Sequence, residues 1–427
     1  MTIRNFRWIV VALLFFATTI NYLDRQIIGL LKPVLEIEFD WTETDFAHIV
    51  MAFTAAYALG LLFFGWLIDK VGTKTGYSLS IIIWSMAGML HAVARSVTGF
   101  SLARIGLGIG EAGNFPAAMK AVAEWFPNKE RALATGIFNA GTSIGVVLAL
   151  IIAPWTLVNY GWQQVFWITG ALGFLWLIFW VLLYEIPSKQ KRLTTLELEY
   201  IRSGQVASSN TTTTSAGSWY QLFSLRQTWA YVTGKFLIDP IFWFFLFWLP
   251  SYFSSTFNLD LRKPSLPLMI IYASTTVGSI AGGYFSSWLI KKGWATLKAR
   301  KAALFIFAVA ELSILSLPFV TDVWAAVALL SLAVAIHQAW ATNIFTTASD
   351  MFPKETVSSV VGIGGMAGAL GGILFPILVG YLLDSFKAEG NLSGGYNVLF
   401  ILCGCTYLVA WTIIHLLTKG LEEPAMK

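Results

Sequence analysis

The chain has 427 residues, of which 57% are hydrophobic and only 12% are charged, and its formal net charge is +5. A soluble chain normally carries about 25% charged residues, so this composition argues against a globular enzyme, a nucleic-acid-binding protein and a disordered protein. The mean hydropathy of +0.69 and the 15% of aromatic residues are typical of a helical membrane protein with aromatic belts at the interfaces.

Apolar runs long enough to cross a bilayer recur along the whole chain. A spanning helix needs about 20 such residues, and the sequence predicts twelve. They cover 8–31, 44–68, 76–94, 98–119, 132–156, 162–184, 228–256, 266–290, 302–319, 323–348, 356–383 and 395–418. The first run is too long for the core of a signal peptide and no small-residue cleavage site follows it, so we expect it to be retained. The predicted fold class is an all-α membrane protein.

One long polar stretch, 185–227, interrupts this series and contains the run Thr211–Thr214. It separates an N-terminal half, 1–184, from a C-terminal half, 228–427, with six predicted helices in each. Two six-helix halves joined by a long loop indicate an internal duplication and pseudo-symmetric halves.

The distribution of basic residues predicts the orientation. With both termini in the cytoplasm, twenty of the 28 lysines and arginines fall on the cytoplasmic side, five lie outside and three lie within apolar runs. Such a bias is the positive-inside signal. We therefore expect a multi-pass protein of the cell's inner (plasma) membrane, with the 185–227 loop in the cytoplasm.

The sequence gives no sign of a cofactor or metal site. The only cysteines, Cys403 and Cys405, lie two apart in an apolar run and point to different faces of a helix, so they form neither a disulfide framework nor a metal site. No convincing nucleophile–base or metal constellation is present, which argues against an enzyme.

Seven charged residues lie inside the predicted spans, away from the ends of those spans. Each costs about 2.5–3.5 kcal/mol at the centre of a helix on the insertion scale, and such groups mark cavities, pairs or transport paths. They are Asp24, Arg25, Arg104, Glu111, Lys235, Asp239 and Glu311.

Helical geometry limits how these groups pair. Asp24 and Arg25 are adjacent and point about 100° apart, so each needs a partner on another helix. Lys235 and Asp239 are four residues apart and are predicted to pair within their own helix. A purely structural role as ion pairs stays open for all four, and Glu311 fits a structural role or a position near a helix end better than a functional one.

Arg104 and Glu111 are seven residues apart and share one helix face, and they too admit a structural role. Several uncharged polar residues are candidates to line a polar cavity, although membrane tyrosines are also common interface anchors. They include Tyr22, Tyr57, Asn139, Gln338 and Asn343. His337 is interpreted as a packing histidine.

A short charged loop carries a family signature. Residues 65–74 read Gly-Trp-Leu-Ile-Asp-Lys-Val-Gly-Thr-Lys, with Asp69 at its acidic position. This resembles the Gly-x-x-x-Asp-Arg/Lys-x-Gly-x-Arg/Lys motif of the major facilitator superfamily. In the second half, Ser287 stands where the motif prefers an acid, so that copy is degenerate.

A closer resemblance runs through three segments and extends over nearly the whole chain. They are Asn21–Arg25, Arg104–Pro116 and Trp125–Arg131. Together they resemble the anion:cation symporter family, and most of all its bacterial hexuronate and galactonate transporters. The run Ala335–Ala339 and the Lys235-x-x-x-Asp239-Pro240 pattern are most similar to the hexuronate branch.

The resemblance implies roles for particular residues. Arg25, with Tyr22 and Tyr57 nearby, is expected to bind the substrate carboxylate, and Lys235 to contact the anion from the second half. Asp24 and Glu111 are expected to carry the coupled protons, and Arg104 to pair with Asp24 when that acid is ionised. Asp69 is expected to latch the cytoplasmic ends together with Arg131.

The expected function is proton-coupled import of a sugar acid anion, in the first place a hexuronate, by alternating access. Two alternatives stay open, namely an aldonate (galactonate) symporter and an organic anion exchanger or facilitator without proton coupling. The expected partners are a small organic anion, protons and the lipid bilayer, with no nucleic acid, and the expected state is a monomer.

Overall fold

The computed structural model describes residues 5–41, 43–203, 219–258 and 266–421, and these contain fourteen α-helices and no strand. The helices are α1 Arg7–Phe39, α2 Glu43–Val71, α3 Thr73–Leu90, α4 Val97–Glu111, α5 Asn114–Trp125, α6 Asn128–Tyr160, α7 Trp162–Leu183, α8 Thr195–Arg202, α9 Arg226–Phe257, α10 Leu266–Lys291, α11 Thr296–Glu311, α12 Val323–Met351, α13 Val357–Ala388 and α14 Leu392–Leu417. Short 3₁₀ segments cover His91–Val93, Trp219–Ser224 and Leu312–Phe319.

The predicted all-α membrane fold is confirmed. Within the described ranges, eleven helices are long and apolar enough to cross a membrane. The predicted segment 98–119 differs, because the structure divides that region into α4 and α5 at Ala112–Gly113. Pro116 has no N–H to donate to the carbonyl of Ala112, and the glycines before it are poor helix formers, so the helix breaks there.

Tight turns separate several consecutive helices. Gly72, between α2 and α3, and Gly161, between α6 and α7, both have φ of +87°. Only glycine adopts this region readily, so the two residues allow the chain to reverse without an intervening loop.

The helices form two compact units. The first contains residues up to Trp219 together with Phe352–Met366, which include the start of α13; the second contains Tyr220–Met351 and the chain from Ala367 onwards. The boundaries expected from the sequence, 1–184, 185–227 and 228–427, stay a prediction. The run Thr211–Thr214 lies outside the described residues.

Small residues bring the helices of the first unit close together. A Cβ atom at Gly145 of α6 would collide with the carbonyl oxygen of Thr19 on α1, and one at Gly108 of α4 would lie 2.6 Å from the carbonyl oxygen of Phe53 on α2. These contacts pack α6 against α1 and α4 against α2.

The helix of the central stretch, α8, is docked on the first unit. Glu197 of α8 accepts hydrogen bonds from the backbone N–H groups of Phe6 (2.9 Å) and Arg7 (3.2 Å). Arg7 also pairs with Glu130 at 3.0 Å, and Tyr200 donates to Glu130 at 2.8 Å. Burial and the Glu130 carboxylate raise the pKa of Tyr200 to about 12, so its hydroxyl stays a neutral donor.

Candidate functional site

The centre of the first unit is an ion pair between α1 and α4. Arg25 places Nε 2.9 Å and Nη2 2.8 Å from Oε2 of Glu111. The Glu111 side chain is fully buried and the Arg25 side chain is 12% exposed. The other carboxylate oxygen, Oε1 of Glu111, has no hydrogen-bond partner in the described part of the chain. The pair therefore couples the charge of one acid to the contact between two helices.

Three aromatic rings surround the Arg25 guanidinium. Its carbon lies 4.6 Å from the ring centroid of Tyr57, 4.8 Å from that of Tyr22 and 5.1 Å from that of Phe53. Ring faces attract a cation, and guanidinium groups stack on them well. The rings hold the guanidinium in place and offer flat surfaces to the apolar face of a bound molecule.

Asp24 and Arg104 lie beside this pair. Asp24 is 4% exposed, and neither of its carboxylate oxygens has a well-formed hydrogen bond to a described residue. Thr169 of α7 and Arg104 of α4 lie near the Asp24 carboxylate and interact with it electrostatically. Arg104 instead directs Nη2 towards the backbone oxygen of Arg25 at 3.4 Å. The expected Asp24–Arg104 ion pair is thus not formed in this conformation.

Asn139 of α6 is also in the first unit and is buried, with 4% exposed. Sequence reasoning missed Phe53, which stacks on Tyr57 with ring centroids 5.8 Å apart. The only signal for it was the spacing of four residues between two aromatic side chains, which places them on one helix face.

In the second unit one buried ion pair lies within a single helix. Lys235 and Asp239 of α9 lie 2.6 Å apart (Nζ to Oδ2), which confirms the predicted pairing. The Lys235 ammonium lies 3.8 Å from the ring centroid of Phe345. Gly368 of α13 faces Asp239, and a Cβ atom there would collide with the carboxylate. This pair is compact and closed on several sides.

The polar residues of α12 divide into two groups. Asn343 is fully buried and donates to the backbone oxygens of Gly282 (3.0 Å) and Ala339 (2.9 Å), so it joins α12 to α10. Its Oδ1 has no partner among the described residues. Gln338 is 7% exposed, and His337 places Nδ1 2.6 Å from the hydroxyl of Tyr407 on α14.

Asp69, at the end of α2, has different partners from the one expected. Its carboxylate lies 2.8 Å from Nζ of Lys120 and accepts hydrogen bonds from the backbone N–H groups of Ser358 (3.3 Å) and Ser359 (2.6 Å). The expected contact with Arg131 is not formed in this structure, where Arg131 donates to the carbonyl oxygens at the end of α5. The gating role of Asp69 and Arg131 stays a prediction. The first N–H groups of a helix have no partner within that helix, so a carboxylate is well placed there.

The described residues contain no group of three or more histidine, cysteine or acidic side chains arranged to hold a metal ion. The chemistry of the site therefore rests on its carboxylates, cations and aromatic rings.

Membrane-spanning helices with oppositely charged groups buried between them define a polytopic membrane transporter. The sequence profile of the Major Facilitator Superfamily matches residues 14–376, and the chain belongs to that family. It is a multi-pass membrane transporter and not an enzyme.

Individual relatives agree with this assignment. The chain is 32% identical over 417 residues to the hexuronate transporter of Escherichia coli K12, covering 97% of this chain and 95% of the relative. It is 30% identical over 426 residues to a probable L-galactonate transporter of the same organism, covering 99% and 92%. Among solved structures, the proton:xylose symporter XylE matches with a TM-score of 0.71 at 15% identity, covering 94% of each chain. The resemblance to bacterial hexuronate and galactonate transporters is confirmed.

Proposed function

We propose that the chain is a proton-coupled symporter that imports a sugar acid anion, in the first place a hexuronate, by alternating access. The observation that carries this proposal is the position of Arg25, which is held by a buried carboxylate and surrounded by three rings. A guanidinium group binds a carboxylate through two parallel hydrogen bonds, and rings stack on the apolar face of a sugar. The names of the relatives support the substrate class.

The coupling follows from competition for one cation. While Glu111 is ionised, it occupies Arg25. A proton on Glu111 removes that charge and frees the guanidinium for the carboxylate of the substrate. Asp24 is proposed as the second proton carrier, because its carboxylate lies beside Arg104 without an ion pair. A charged group left alone in such surroundings is costly, so proton uptake accompanies each loss of a partner.

Other residues are proposed for supporting roles. Lys235 would contact the anion from the second unit, and Asn139, Gln338 and Asn343 would contribute polar contacts. Asp69 and Arg131 are proposed to control opening at the cytoplasmic end. The protein is proposed to act as a monomer in the inner membrane with both termini in the cytoplasm, as the positive-inside bias indicates.

The test is uptake of radiolabelled glucuronate and galactonate into proteoliposomes, with and without an inward proton gradient. Gradient-driven accumulation of glucuronate is expected. Accumulation of galactonate alone would assign the aldonate branch, and equilibration that ignores the gradient would assign a facilitator.

Glu111→Gln tests the coupling step. Because the amide cannot carry a transported proton, gradient-driven accumulation should disappear, while exchange of labelled for unlabelled substrate, which moves no net protons, continues. The matched control is Glu389→Gln, since Glu389 is an exposed acid. Accumulation that survives in Glu111→Gln removes Glu111 from the proton path.

A further inference from the structure

A buried acid of the second unit takes no part in the mechanism described so far. Glu311, the last residue of α11, is fully buried, and neither of its carboxylate oxygens has a hydrogen-bond partner among the described residues. No cation among the described residues forms a hydrogen bond with either oxygen. A carboxylate in such surroundings is unstable in the ionised form.

Glu311 also lies where the helix changes its winding. The membrane span Thr296–Phe319 is α-helical up to Glu311 and continues as a 3₁₀ helix over Leu312–Phe319. Long 3₁₀ stretches within a helix are uncommon and often mark a functional hinge. The acid is therefore placed at a point where the span is able to change shape.

The acid faces two titratable groups of α14. Cys403 and Tyr407 both lie close enough to Glu311 to interact electrostatically with its carboxylate. Gly404 between them permits this approach, since a Cβ atom there would lie 2.8 Å from Ile314 and 3.6 Å from the carbonyl oxygen of Glu311.

Tyr407 connects this region to the buried pair of α9. Its hydroxyl lies 2.6 Å from Nδ1 of His337 on α12. Lys235 acts electrostatically on His337, and Asp239 acts on Tyr407. Tyr407 thus interacts electrostatically with two acids, Glu311 and Asp239. Among the described residues, Lys235 pairs with Asp239 and not with Glu311.

We propose that Glu311 is a proton-binding site of the second unit, coupled through Tyr407 to the Lys235–Asp239 pair. The proposal rests on the proposed function. In this proposal Glu311 binds and releases one proton in each transport cycle. When the substrate anion draws Lys235 away, Asp239 loses its cation and the field around Tyr407 becomes more negative. The proton on Glu311 is then held more firmly, and by reciprocity the proton favours the anion-bound state, which is the sign that symport requires.

Infrared difference spectroscopy of the reconstituted full chain tests the site directly. The spectrum is recorded during a pH titration, and again on addition of glucuronate, for the wild type, Glu311→Gln and the exposed-acid control Glu389→Gln. The wild type and the control should show a carboxyl C=O band that responds to pH and is missing in Glu311→Gln. Identical carboxyl bands in all three proteins overturn the proposal. If Glu311→Gln fails to fold, Glu311→Asp takes its place, and that variant should keep a displaced carboxyl band.

The second measurement is the number of protons carried per anion, obtained from reversal potentials in proteoliposomes. This number should fall by one in Glu311→Gln and stay unchanged in Glu389→Gln; an unchanged number in Glu311→Gln overturns the coupling. The pH titration needs no substrate, so it still tests Glu311 if the wild type fails to take up glucuronate and the proposed function is the part that is wrong.

Discussion

The two units bury charge in different ways. In the first unit the central ion pair joins two helices, Arg25 of α1 and Glu111 of α4. In the second unit Lys235 and Asp239 are one turn apart on α9. An ion pair between helices changes when the helices move or when one partner is neutralised, whereas a pair within a helix persists through rigid movement. The pair of the first unit is therefore the one that a movement of α1 against α4 would break directly.

A second comparison concerns Asp69 in the first unit and Arg300 in the second. Asp69 reaches from α2 to the first backbone N–H groups of α13. The acid is missing from the degenerate second copy, where Ser287 stands, and the second unit instead buries Arg300 against Asp350 at 2.8 Å. Each contact lies inside one unit. The first depends on where α13 begins, and the second joins α11 to α12.

Removing one partner of the Arg300–Asp350 pair should have the largest effect on the stability of the protein. Arg300 and Asp350 have side chains that are 0% and 2% exposed, and Arg300 also donates to Ser286 at 2.7 Å. Arg300→Gln leaves Asp350 buried without its cation, which costs about 3–5 kcal/mol. We expect a large loss of thermal stability in detergent. The control Lys298→Gln removes an exposed cation from the same helix, and comparable loss in both variants would contradict the assignment of a structural role to Arg300.

The next largest effect is expected on substrate affinity, when Arg25 of the Arg25–Glu111 pair is replaced. Arg25→Lys keeps the charge but loses the planar fork and its stacking on three rings. Loss of one charge-assisted hydrogen bond costs about 1.5–3 kcal/mol, so substrate affinity should fall about 10–100-fold. Titration calorimetry with glucuronate measures this, with Arg226→Lys as the exposed control. Affinity within about two-fold of the wild type would remove Arg25 from the substrate site.

The sequence predicted what depends on spacing along one helix. The Lys235–Asp239 pair followed from a separation of four residues, and the membrane segments followed from apolar length. The partner of Arg25 did not follow, because adjacency to Asp24 showed only that each needed another helix. Which acid Arg25 meets depends on how closely α1 approaches α4, and that is set by three-dimensional packing.

Two further features needed the structure. The break between α4 and α5 follows from Pro116 once the helix is seen, but apolar length alone favours one continuous segment. The cation that pairs with Asp69 is Lys120 and not the expected Arg131, because the sequence offers several cations near helix ends and only the fold decides which of them reaches Asp69. Because nearly every residue has a backbone N–H group, the sequence does not show that those of Ser358 and Ser359 donate to Asp69.

A smaller effect is expected at the start of α13. Asp69→Asn removes the negative charge that accepts from Ser358 and Ser359, a contribution of about 1–2 kcal/mol. Hydrogen exchange of those two amides should become about 5–30-fold faster. Asp322→Asn is the matched control, because Asp322 accepts from the N–H of Ala325 at the start of α12. In that variant the Ser358 and Ser359 amides should exchange as in the wild type. Unchanged exchange in Asp69→Asn would show that the charge does not hold the helix start.

The smallest effect lies at the surface, where Glu185 pairs with Lys74 at 3.2 Å. Partial burial opposes ionisation of Glu185, but hydrogen bonds from Lys74 and from the Ile186 N–H, with the nearby lysine charges, outweigh it and lower its pKa. A lowered folded-state pKa means that the stabilisation is complete above the unfolded value of about 4.3 and is lost as the pH falls through the folded value. Because both side chains are about one-third exposed, the contribution is below about 1 kcal/mol.

Unfolding midpoints of wild type and Glu185→Gln should differ slightly at neutral pH and converge in acid. Lys74→Gln should give the same small loss, with none added in the double variant. A difference that grows as the pH falls would mean that the Glu185 carboxylate opposes folding. The Lys74–Glu185 pair would then not be a weaker version of the stabilising Arg300–Asp350 pair.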